Sequence, residues 1–173
     1  MTDSPVFALD AQVVFRGKPM RVAGRMLLQG TSGQSTFRYL LVDDAGAPVL
    51  LEQAGAHRYA LLRAFPPAAR PRTAGNTITV GVERYSLVGV RRLKVLEVLG
   101  QAPSPVARAE LLVSGMYEGL MGTLMREMVP GTDRQLYYLL RPVETGDMLS
   151  AAAHTAAREA ESRSAGAAAG DDD

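Results

Sequence analysis

Hydrophobic and polar positions along the chain alternate in runs of four to nine residues, and turn residues separate the runs. Arg21 to Gln29 places Val22, Gly24, Met26 and Leu28 on one face, the period of a half-buried strand. Phe37, Tyr39 and Leu41 alternate in the same way, and so do Ile78, Val80 and Val82 between threonines and glycine. Turn chemistry falls at Gly30-Thr-Ser-Gly33, Asp43-Asp-Ala-Gly46, Ala74-Gly75-Asn76 and Pro130-Gly-Thr-Asp133. Short strands at this spacing predict a mainly β fold, sandwich or barrel-like. Gly115 to Met128 carries two signals. Met116, Leu120, Leu124 and Met128 have helical spacing, but Gly119 and Gly122 each cost a helix about 1 kcal/mol, and two strands are preferred. Pro130-Gly131 would then turn Thr123–Val129 back into Arg134–Arg141.

An internal duplication organises these strands. Phe15/Val80, Met20/Tyr85, Val22/Leu87 and Gly24/Gly89 share one offset of 65 residues. Farther along, Tyr39, the turn glycine Gly46 and Leu50-Leu51-Glu52 are answered by Tyr117, Gly122 and Met125-Arg126-Glu127. Tyr59-Ala-Leu-Leu-Arg63 is answered by Tyr137-Tyr-Leu-Leu-Arg141, at an offset of 78. The increase is what insertions in surface loops produce. The expected organisation is two pseudo-repeated antiparallel β units, residues 8–65 and 76–145, joined by a proline-rich linker over 66–75. Gly146-Asp147 would cap an alanine-rich C-terminal α-helix over 146–161, and residues 162–173 read as a disordered acidic tail.

Composition narrows the chemistry. The 173 residues include no cysteine, which removes thiolate catalysis, cysteine metal sites and disulfides. Two histidines, His57 and His154, are too few for a multi-histidine metal site. No stretch has the length of a membrane span, and the N-terminus lacks the basic and apolar regions of a signal peptide, so a cytoplasmic location is expected. Formal charge is +1, yet Arg58 to Lys94 is strongly basic. Arg58, Arg63, Arg70, Arg72, Arg84, Arg91 and Arg92 form a candidate anion-binding set, for nucleic acid or anionic lipid, with the solvated face of a β domain as the plainer reading. The six tyrosines could stack bases, although in small β domains they usually line the core margin.

No catalytic motif survives inspection. Gly30-Thr-Ser-Gly33 lacks the spacing of a nucleophile elbow, and Gly17-Lys18 lacks the rest of a phosphate loop. Asp43-Asp44 reads as a turn rather than a cation loop. Glu52 and Glu127 are repeat-equivalent carboxylates, which could do acid–base work if close together. The preferred reading is structural, with the equally repeat-related Arg63 and Arg141 as their partners and Gly24 and Gly89 as matched structural glycines. No enzyme, cofactor or metal is expected.

The opening Val14-Phe-Arg-Gly17 with Met20-Arg-Val-Ala-Gly24 resembles a bacterial domain-of-unknown-function family, number four-one-seven-eight. In that family a glycine turn and a second glutamate-bearing strand follow; here Phe37-Arg-Tyr-Leu-Leu41, Gly46 and Leu50-Leu-Glu52 stand in those places. Tyr85-Ser-Leu87 and Val95-Leu-Glu-Val-Leu-Gly100 resemble its partner half, so the likeness spans about residues 10 to 145. Both signature tryptophans are replaced, by Phe37 and Leu50. The resemblance implies no known activity, cofactor or catalytic residue. It implies a cytoplasmic accessory role in an envelope or stress system, with a protein partner at or near the inner face of the membrane. The function expected is therefore that of a non-enzymatic binding or adaptor protein, with polyanion binding as the alternative.

Overall fold

A computed structural model of the chain describes residues 7–55, 58–105, 110–144 and 147–150. Among the described residues, twelve strands form one antiparallel sheet: β1 (Gln12–Phe15), β2 (Lys18–Gly30), β3 (Ser35–Val42), β4 (Pro48–Ala54), β5 (Tyr59–Ala64), β6 (Arg72–Ala74), β7 (Thr77–Val80), β8 (Glu83–Gly100), β9 (Leu111–Gly119), β10 (Gly122–Met128), β11 (Gln135–Val143) and β12 (Met148–Ser150). β2 pairs with β8 as well as with β3, so β2-β3-β4-β5-β11-β10-β9-β8 close into an eight-stranded barrel. Closure gives these eight strands a neighbour on both sides and removes the unpaired edges that an open sheet would present.

The two expected repeats are halves of this single barrel, each giving four consecutive staves. Both seams join corresponding strands. At the β2–β8 seam Gln29 lies opposite Lys94, and at the β5–β11 seam Leu62 lies opposite Leu140. These are the same offsets, 65 and 78, that relate the halves in sequence. A register bulge falls between Val22 and Gly24 in the β2–β3 pairing and between Leu87 and Gly89 in the β8–β9 pairing, again 65 apart. The tyrosine match shifts by two residues: Tyr117 lies opposite Leu87 as Leu41 lies opposite Val22, while Gly115 takes the place of Tyr39.

Each bulge adds one residue and so reverses which side chains point inward. Val22, Gly24, Met26 and Leu28 therefore do not share one face. Met20 and Val22 pack outside the barrel with Val13, Phe15, Tyr39, Leu41 and Leu51, whereas Met26 and Leu28 pack with Leu93, Val95 and Leu112. Ile78, Tyr85, Tyr117 and Leu124 repeat the outer cluster in the second half. Leu62, Met125 and Tyr138 complete the apolar packing. Each fully buried side chain of this kind contributes about 1.5–3 kcal/mol.

Two local expectations resolve. Gly115 to Met128 falls in strands β9 and β10 around a tight turn at Leu120-Met121, because both outer edges of the hairpin have neighbouring strands to pair with, β8 and β11. The proline-rich linker contains a single 3-10 turn, Pro67–Ala69, and the short edge strand β6. The C-terminal helix is corrected where it can be followed. Met148–Ser150 is a strand on the free edge of β1, and no α-helix occurs among the described residues. An isolated alanine-rich segment nucleates a helix poorly, while β1 offers ready backbone donors and acceptors. Residues 151–161 of the expected helix and the tail 162–173 lie outside the described residues.

Candidate functional site

Strands β3 and β10 stand on opposite sides of the barrel, four positions apart around the ring either way. Arg38 on β3 nevertheless contacts Glu127 on β10, so its side chain crosses the lumen. Its Nε and Nη2 donate to Glu52 Oε2 at 2.9 and 2.8 Å, and its Nη1 donates to Glu127 Oε2 at 3.0 Å. Nη2 also pairs with Glu127 Oε1. Arg91 on β8 donates from Nη2 to Glu52 Oε1 at 3.1 Å. The thioether of Met125 lies beside both guanidinium groups, 3.9 Å from Arg38 Nη2 and 3.6 Å from Arg91 Nη2. Arg38, Glu52 and Glu127 are buried, and Arg91 is about a third exposed at 32%.

Burial alone would push the Glu52 carboxyl up, but the charges of Arg38 and Arg91 outweigh it and hold Glu52 below its ordinary value. Burial likewise opposes the charge on Arg38, and Glu127 and Glu52 more than offset it, so its pKa is raised. The result is a cluster of two arginines and two glutamates in which Arg38, Glu52 and Glu127 are buried and Arg91 reaches solvent. Both carboxylates accept hydrogen bonds from one guanidinium, an arrangement suited to holding opposite barrel walls together. Glu52, held in its charged form by the two arginines, is ill suited to proton transfer, which needs a carboxyl poised near the working pH.

The equivalent glutamates thus do meet, but not through the partners expected for them. Arg63 and Arg141 are both exposed. Side chains alternate along a strand, and Leu62 and Leu140 take the inward positions on β5 and β11, which turns both arginines outward. Gly24 and Gly89 also differ in their surroundings. A Cβ at Gly24 would lie 1.7 Å from the Gln101 carbonyl oxygen, whereas a Cβ at Gly89 would meet nothing within 4 Å.

The candidate anion-binding arginines separate. Arg58, Arg63, Arg70, Arg72, Arg84 and Arg92 are exposed, while Arg91 turns into the lumen. Arg72 and Arg84 share a row, because both lie opposite Thr79. Five of the six tyrosines, all but Tyr137, are buried and present no stacking platform. Burial raises the hydroxyl pKa of Tyr59, Tyr85 and Tyr138. Asp43 closes its turn by accepting from the Ala47 amide at 2.8 Å and pairing with Lys18. The Lys18 hydrogen bond first, then the backbone amide, holds the Asp43 carboxyl below its ordinary value. His57 and His154 lie outside the described residues. No group of three or more metal-ligating side chains occurs among the described residues.

Arg38 is the central residue that motif inspection overlooks. Its signal is a charge placed between Phe37 and Tyr39 and followed by Leu40-Leu41-Val42, with a glutamate at the end of the next apolar run, Val49-Leu50-Leu51. Comparison with known proteins finds no matching family model, no matching curated protein and no matching solved structure.

Proposed function

We propose that this chain is a non-enzymatic binding protein that docks a protein partner on the second half of its barrel. The observation that carries the reading is the distribution of exposed apolar side chains. Among the described residues, all the large ones belong to the second half: Val82, Val88, Val90, Leu111, Leu120 and Met121. Exposed apolar surface concentrated on one side of a molecule is a mark of an interaction face. Val82 and Leu120 occupy adjacent hairpin turns, since the backbone at Gly119 abuts the Arg84 carbonyl. The ionic saturation of Glu52 and Glu127 supports a role without acid–base chemistry.

Descent from a duplicated ancestral unit, and membership of the family that the opening motifs resemble, belong to the same proposal. So does an accessory role in an envelope or stress system, at the cytoplasmic face of a membrane. No helix among the described residues is long and apolar enough to cross one. Six exposed arginines favour polyanion binding as the second reading.

The test is cross-linking and affinity purification of the tagged full chain from its host, beside a Val82→Ser, Leu120→Ser, Met121→Gln variant. Loss of a specific protein partner from the variant alone supports docking on this face. Equal capture by both proteins overturns it. Recovery of nucleic acid or lipid only, lost on adding salt, transfers support to the arginines.

A further inference from the structure

The four neighbouring staves β4, β5, β11 and β10 carry five charged residues, and these sort by face. Glu52 and Glu127 point into the lumen, where Arg38 and Arg91 hold them. Arg63, Arg126 and Arg141 point outward, because Leu62, Met125 and Leu140 take the inward places beside them. The outer wall of these strands therefore holds three positive charges and no carboxylate. None of the three arginines forms an ion pair among the described residues. Arg126 donates only to a neutral group, the Gln135 amide oxygen, at 3.2 and 3.3 Å.

Strand register gives the spacing. Arg63 lies opposite Leu139 and Arg141 opposite Leu61, so the two are diagonal neighbours across the β5–β11 seam, about 7–8 Å apart at Cβ. Arg126 lies opposite Tyr137, two strands and two residues from Arg63, or about 12 Å. Leu61 packs against the outer cluster of the first half, and Phe65 and Tyr137 against that of the second, so the arginines occupy the strip between them. Charges spread this far along an outward wall suit a chain with repeated negative groups better than one small anion. Tyr137, the one tyrosine that is not buried, adds an aromatic side chain next to Arg126. Arginines interleaved with an aromatic ring are what single-stranded nucleic acid uses, phosphates on the cations and a base on the ring. A lipid surface or an acidic peptide would engage the charges without the ring. We propose that this outer strip binds single-stranded nucleic acid, its phosphates on Arg63, Arg141 and Arg126 and a base against Tyr137. The inference rests on the polyanion reading above and is independent of docking at the hairpin turns.

The test is fluorescence anisotropy of a labelled oligothymidylate of about twelve nucleotides with the full chain. At about 50 mM salt the expected Kd is about 1–100 µM. Three phosphate contacts give a log–log salt slope of about −2, so about 200 mM salt should weaken binding roughly 20-fold. The double variant Arg63→Gln, Arg141→Gln changes two exposed side chains and should lose about tenfold in affinity, with a slope near about −0.7. Tyr137→Leu keeps the apolar packing and should weaken the oligonucleotide about fivefold while leaving competition by inorganic polyphosphate unchanged. Arg72→Gln, Arg84→Gln, in the row opposite Thr79, should bind as the parent does. Full affinity in Arg63→Gln, Arg141→Gln would overturn the inference, and loss in Arg72→Gln, Arg84→Gln instead would keep the polyanion reading at another place. Full affinity in Tyr137→Leu would also overturn it. Capture by phosphatidylglycerol vesicles without oligonucleotide binding would overturn it too and leave the polyanion reading with lipid. No salt-sensitive binding to either probe would end both.

Discussion

The two halves of the barrel share strand order, bulge position and outer apolar cluster, yet they fill the lumen with different residues. In the first half the inward cross-strand pair is Met26 opposite Arg38; at the corresponding place in the second it is Arg91 opposite Ser114. Each half therefore contributes one arginine and one glutamate, with the arginines on non-corresponding strands. Two equivalent carboxylates approach the centre, and one guanidinium bridges both. A second arginine at the Ser114 position would compete for the same space and leave an unmatched charge. The surfaces diverge as well. The first half closes a turn with Lys18 and Asp43, where the second exposes Leu120 and Met121.

That asymmetry can be broken most strongly at its centre. Arg38→Met leaves Glu127 buried without its partner, for an expected loss of about 3–5 kcal/mol in urea-unfolding stability. The double variant Arg38→Met, Glu127→Leu leaves the Glu52–Arg91 pair in place and should recover most of that loss. A double variant as unstable as the single one would mean the cluster is not the cause. Ser114→Ala, the matching change in the other half, should be neutral or slightly stabilising, because it removes an unpartnered hydroxyl.

The matched glycines provide the next contrast. Gly24→Ala drives a Cβ into the Gln101 backbone and should cost about 1–3 kcal/mol, as overpacking does. Gly89→Ala enters open space and should change stability by less than about 1 kcal/mol. Equal effects at the two sites, read from thermal melts, would contradict the difference in their surroundings.

A smaller effect is expected from acid. Glu52 has a folded-state pKa below its unfolded value, so its contribution to stability is fully present above the ordinary glutamate value of about 4.3. That contribution is lost as pH falls through the lower folded value. Melting temperature should hold steady from neutral pH down to about pH 5 and fall below it. A decline beginning near neutrality would point to another group. The smallest change belongs to the exposed turn: Leu120→Ser should alter stability by no more than about 0.5 kcal/mol.

Much of this organisation was legible in the chain because it is local. Alternation marked the strands, glycine and proline marked their turns, and the sequence match of Tyr59–Arg63 with Tyr137–Arg141 set Leu62 against Leu140, which lie opposite each other in the barrel. The correspondence of Glu52 and Glu127 was also legible, from their matched places after the turn glycines Gly46 and Gly122. Their true partner was not. Arg38 and Glu127 are 89 residues apart, and nothing in strand periodicity says which strands face each other across a closed barrel.

The sequence by itself determined a mainly β chain without thiols, because strand period, turn chemistry and composition are properties of neighbouring residues. Only the tertiary structure decided which face each residue occupies, since a one-residue bulge reverses inside and outside for everything beyond it. It also decided that Arg63 and Arg141 meet solvent while Arg38 and Arg91 meet the carboxylates. Closure of the barrel brings opposite walls within hydrogen-bonding distance, and that distance depends on the whole ring of strands rather than on any one segment.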